Sequence, residues 1–122
     1  MPVLMVFLGG MVGAPLRFLT DRAVQRRHDS VFPWGTLVIN VTGSFVLGAL
    51  GAASAHHHLV PDLGLLLGTG VCGGFTTFST FSYETVRLME DGSLAEAGLN
   101  AVGSLGLGLA AAALGYALLT WL

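Results

Sequence analysis

Four stretches of this chain, residues 3–19, 35–55, 63–83 and 97–122, are apolar over the length a bilayer demands and hold one charged residue between them, Arg17. A hydrocarbon core about 30 Å thick takes roughly 20 helical residues to cross, and the helix satisfies every backbone polar group within its own segment. The composition points the same way, with 53% of the 122 residues hydrophobic, 10% charged and a mean hydropathy of +0.76. Soluble domains carry about 25% charged residues. The predicted fold is a single all-α integral membrane domain of four spans, with both termini on one side and the cell membrane as its location.

The 18 glycines suit that class, because membrane helices have no hydrophobic drive to associate and rely on small residues for close approach. Cys72 is the sole cysteine, so it forms no intrachain disulfide and reads as a small packing residue. The first span has no basic residue ahead of it, unlike a secretory signal, and is expected to stay attached. Gly9 and Gly13 form a flat contact face in it, and Pro15 is expected to kink its last turns or end it. Residues 20–34 read as the first loop, carrying Arg22, Arg26 and Arg27, with Trp34 as an interfacial anchor.

In the second span Asn40, Ser44, Gly48 and Gly51 share one small, polar face. An amide in the membrane is costly without a partner, so Asn40 either bonds a neighbouring helix or faces an aqueous path, and the two readings stand level. His56, His57 and His58 read as a solvated loop, since consecutive positions share no helix face on which to hold a metal. After the third span, Glu84 and Arg87 are spaced to pair on a helix, and Glu90, Asp91, Gly92 and Glu96 form an acidic connection. The last span places Ser104 and Gly108 as a small pair, with Tyr116 and Trp121 near the far interface.

The third span is poorly made for a continuous helix. Gly68, Gly70, Gly73 and Gly74 predict a break near Gly73-Gly74, and unwound backbone at membrane depth is tolerated only against protein or a water-filled cavity, where it commonly marks an ion or substrate site. Behind it Phe78 and Phe81 continue a three-residue recurrence begun at Phe75, interleaved with the hydroxyls of Thr76, Thr77, Ser79, Thr80 and Ser82. An aromatic packing stripe is the plain alternative for such a pattern.

The strings GGMVGAPLRF at 9–18, GTLVINVTGSFVLG at 35–48 and GVCGGFTTFSTFS at 70–82 resemble the Fluc (also called CrcB) family of fluoride channels. With the four-span length, the likeness covers essentially the whole chain. It implies a small antiparallel dimer with two fluoride pores and a structural sodium ion at its centre. It further implies sodium-binding carbonyls at Gly73 and Thr76, pore aromatics at Phe78 and Phe81, and an amide donor at Asn40. Ser79 and Thr80 would extend a polar track, Ser104 would add a hydroxyl from the fourth span, and Arg17 would serve as a vestibule cation. Snorkelling to the headgroups explains Arg17 at least as well. The pattern departs at residues 96–100, where the aromatic side chain that some relatives place early in the fourth span is missing.

Neutral donors suit anion conduction, since amide, hydroxyl and aromatic edge can hold a small anion without trapping it as a buried arginine would. A small proton-coupled multidrug-type transporter has a similar size but needs a titratable carboxylate in the membrane, and no acid lies inside a predicted span. A structural membrane subunit accounts for the small-residue faces but not for the broken third span. The sequence carries no catalytic constellation and no nucleotide-binding loop, and its partners are read as fluoride, the bilayer and a second subunit rather than nucleic acid.

Charge sets an orientation. Arg22, Arg26, Arg27 and Arg87 fall on one side, and the other side carries no Lys or Arg, which places the arginines in the cytoplasm and both termini outside. A chain so biased predicts an oppositely oriented paralogous subunit in the cell, with homodimers forming when it is produced alone.

Overall fold

The computed structural model describes residues 2–27, 32–56 and 59–121. Four helices among them are long and apolar enough to cross a membrane, Pro2–Arg27, Trp34–His56, Pro61–Glu90 and Leu94–Trp121, and the described residues contain no strand. The protein is thus all-helical and multi-pass. His57 and His58 lie outside the described residues; His56 ends the second helix, with Nε2 3.2 Å from the Tyr116 hydroxyl.

Pro15 neither ends the first helix nor precedes a loop at residue 20, because helical geometry continues through it to Arg27. A proline removes one backbone donor, a loss that membrane helices absorb. Arg22, Arg26 and Arg27 therefore stand on a helix that projects beyond its apolar run. The third helix likewise carries Glu84 and Arg87 past its apolar run, and Glu84 accepts a hydrogen bond from Thr36 of the second helix.

Backbone contact replaces side-chain interdigitation at two crossings. Where the first and third helices meet, a Cβ on Gly9 would strike the Leu66 carbonyl, and one on Gly70 would stand 2.8 Å from the Gly9 Cα. The second and fourth helices approach as closely, since a Cβ on Gly48 would strike the Ala112 carbonyl and one on Gly115 the Phe45 carbonyl. Small residues permit this proximity, and dispersion across the contact is what holds helices together in lipid. Among the described residues Ile39, Ala52, Cys72, Leu88 and Ala97 make up the buried apolar side chains, with Thr36, Thr77 and Asn100 buried as well, while Val3, Phe7, Leu105 and Trp121 lie open.

Two stretches wind wider than an α-helix, Leu65–Cys72 in the third helix and Leu99–Gly103 in the fourth, each with π-type geometry. Such turns occur mostly as local bulges, often near functional sites. Both lie just ahead of the residues that form the groove described next.

Candidate functional site

Gly73 and Gly74 keep helical geometry; Thr76, Thr77 and Phe78 lie between helical segments, with Thr76 extended at φ −81° and ψ 162° and Phe78 already back at helical angles as the cap of the next segment. Helix resumes at Ser79. A side chain from another helix occupies both backbone groups of Thr77. The Asn40 amide Nδ2 donates to the Thr77 carbonyl at 2.9 Å, and Asn40 Oδ1 accepts the Thr77 N–H at 2.9 Å.

That bridge redirects the local ladder. In a continuing α-helix the Thr77 N–H would go to the Gly73 carbonyl, and the Thr80 N–H to the Thr76 carbonyl. Here the first goes to Asn40 Oδ1 and the second to Thr77 Oγ1, at 3.1 Å. The Gly73 and Thr76 carbonyls are therefore the two whose helical donors are diverted by side chains. The turn before them is tied down, because the Cys72 carbonyl accepts both the N–H and the hydroxyl of Thr76 at 2.8 Å. Gly73 is exposed, and a Cβ there would meet nothing within 4 Å, whereas one on Gly43 would run into the Thr76 methyl.

Beside the interruption lies a groove of about 370 Å³, bounded by the second, third and fourth helices. Asn40, Phe78, Phe81 and Ser104 all line it, together with Thr76 and Ser44. The Phe78 and Phe81 ring centroids are 5.8 Å apart with planes inclined at 42°, and Phe78 is 79% exposed, so its ring is available to whatever covers this face. The walls are apolar apart from the Asn40 amide and a few hydroxyls, the pattern of a site that orients a small ligand with sparse polar contacts.

The other candidates do not line this groove. Ser79 is exposed, its hydroxyl 3.4 Å from that of Thr77. Thr80 borders a second cleft of about 360 Å³, shared with Tyr83, Glu84 and Arg87. Arg17 is half-buried on the first helix and lines neither cavity.

Sequence reasoning overlooked Asn100. It is fully buried in the fourth helix, donates to Thr85 Oγ1 at 2.7 Å and accepts from the Ser104 hydroxyl at 3.3 Å. The signal was available, since it is the other amide inside an apolar run and the cost argument made for Asn40 applies equally to it.

Four membrane helices with glycine crossings, and a neutral groove of amide, hydroxyl and aromatic groups beside a lapse in the third, define a small multi-pass membrane protein. Residues 4–116 match the model of the family described as CrcB-like protein, Camphor Resistance (CrcB), and the chain belongs to that family. It is 60% identical over 109 residues to "Fluoride-specific ion channel FluC 1" of Streptomyces avermitilis, covering 89% of this chain and 88% of the relative. It is 52% identical over 120 residues to the protein of the same name from Frankia casuarinae, covering 94% and 93%. "Fluoride-specific ion channel FluC 2" of Mycobacterium tuberculosis is 50% identical over 110 residues, covering 90% and 84%.

Proposed function

We propose that this chain forms a fluoride-selective channel that exports fluoride across the cell membrane, as an antiparallel dimer with two pores. The observation that carries the reading is the convergence of Asn40, Phe78, Phe81 and Ser104, from three helices, on one groove. The names of the relatives give the ion, and the chemistry of the groove is compatible with it. One Asn40 Nδ2 hydrogen is spent on Thr77, which leaves the second free to donate, and aromatic edges offer further positive potential. Donors without formal charge let an anion shed water on entry and recover it on exit.

Dimer assembly is supported by Phe78 and Gly73, both exposed in the isolated chain. A broken third span at membrane depth fits the same picture, with Thr76–Phe78 facing protein and groove instead of lipid. A structural sodium ion fits the donor set: the carbonyls of Gly73 and Thr76 would hold it, since both have lost helical donors and hard oxygen ligands suit a hard cation. The ion would supply positive charge against crowded carbonyl dipoles and so rivet the two subunits. By the arginine bias, the partner in the cell is an oppositely oriented paralogous subunit, and a second copy of the chain takes its place when it is produced alone. Fluoride efflux from liposomes holding the purified protein tests the reading, with chloride as the comparison ion.

A further inference from the structure

Asn100 sits at the head of a hydrogen-bonded chain whose direction is fixed by chemistry. Its amide nitrogen can only donate, so Thr85 Oγ1 is the acceptor at 2.7 Å, and Thr85 in turn gives its own proton to the Phe81 carbonyl at 2.8 Å. The Asn100 carbonyl oxygen can only accept, so the proton between it and Ser104 comes from the serine hydroxyl. Ser104 lines the groove, and with its proton held on Asn100 it turns lone pairs to any anion there.

The links of this chain are unequal. Asn100 is firmly held toward Thr85 at 2.7 Å, whereas the Ser104 bond, at 3.3 Å, is longer than the roughly 2.7–2.8 Å usual for a hydroxyl donor. The weakest bond is the one at the groove.

Building on the fluoride-channel reading above, we propose that Asn100 is a positioning residue that keeps the Ser104 hydroxyl in a weak hydrogen bond, which a passing anion can take over as acceptor while the proton stays on Ser104 Oγ. When the anion leaves, the Ser104 hydroxyl donates to Asn100 again. Breaking that bond offsets part of the attraction between Ser104 and the anion, so the groove releases what it binds. Asn100 need not touch the ion.

The test is the fluoride-concentration dependence of flux through reconstituted channels in a two-residue cycle. Asn100→Leu removes the acceptor and should lower the half-saturating fluoride concentration about threefold, the size of one modest hydrogen bond. In the Ser104→Ala background the same change should leave half-saturation where it was. A purely structural role would reduce maximal flux by reducing the number of working channels, with half-saturation unmoved in either background. Asn100→Ala replaces the leucine variant if that fails to assemble. No shift with Ser104 present, or an equal shift with Ser104 removed, overturns the proposal while leaving the channel reading intact. Wild-type protein that passes no fluoride removes both.

Discussion

Asn40 and Thr77 form a two-way bridge between the second and third helices, the amide giving one hydrogen bond to the threonine carbonyl and taking one from its N–H, both at 2.9 Å. One side chain thus satisfies the backbone residue that the interrupted helix leaves over, and does so on the wall of the groove. Asn40→Leu should strand both Thr77 groups at roughly 1–3 kcal/mol each. The expected outcome is loss of fluoride flux together with a marked drop in thermal stability. Unchanged stability would show that the third helix holds its shape without the bridge.

The phenylalanines should separate fold from function. Phe78 is largely exposed and Phe81 is half-buried, so Phe78→Ile or Phe81→Ile removes a positive ring edge without opening a deep cavity. Flux at matched protein density should fall about tenfold or more, the factor given by losing roughly 1.4 kcal/mol of barrier stabilisation. Elution on size exclusion should stay that of the parent. Full fluoride efflux from both variants would take the rings out of the path.

Two glycines three residues apart should fail in different ways. A Cβ at Gly70 meets the Gly9 Cα at 2.8 Å and the Val6 carbonyl at 3.1 Å, so Gly70→Val should cost the single chain about 3 kcal/mol and lower its folded yield. At Gly73 a Cβ meets nothing within 4 Å, so Gly73→Val should spare the protomer and weaken the dimer and its sodium response. Dimer stability in Gly73→Val measured with sodium and with potassium checks this. An unchanged sodium dependence would count against Gly73 as a ligand.

Four spans were legible because a bilayer imposes one length and one polarity on whatever crosses it, and residues 3–19 through 97–122 obey both. Asn40 and Ser104 stood out in the sequence as polar groups within apolar runs, whereas Phe78 and Phe81, apolar themselves, were singled out by the family resemblance against the plain alternative of a packing stripe. The position of the lapse was not. Glycines drew attention to residues 73–74, yet helical glycines are common in membranes, and the lapse at Thr76 and Thr77 is bound up with a bridge spanning 37 positions of sequence. Local propensity cannot report a partner so remote. The run of the first helix through Pro15 to Arg27 was hidden similarly, because a proline signals helix ends in water more firmly than in lipid.

The arginines give a prediction that does not depend on the groove. Arg22, Arg26, Arg27 and Arg87 should hold the chain with both termini outside the cell when its natural partner is present. A topology reporter fused to the carboxyl terminus should be active on one side only, and co-expression of an oppositely biased relative should yield mixed dimers. Comparable reporter activity on both sides with the oppositely biased relative co-expressed would show that four arginines do not fix the topology, and would return the homodimer to first place.

The central claim is that the groove of Asn40, Phe78, Phe81 and Ser104 conducts fluoride, and ion efflux from liposomes tests it most directly. Vesicles loaded with potassium fluoride or potassium chloride, holding purified wild-type protein, are opened to potassium by an ionophore, and anion release is followed with an electrode. The account predicts rapid fluoride release, negligible chloride release, and loss of the fluoride signal in Phe81→Ile. Chloride release as fast as fluoride, or fluoride release no faster than from protein-free vesicles, would contradict it.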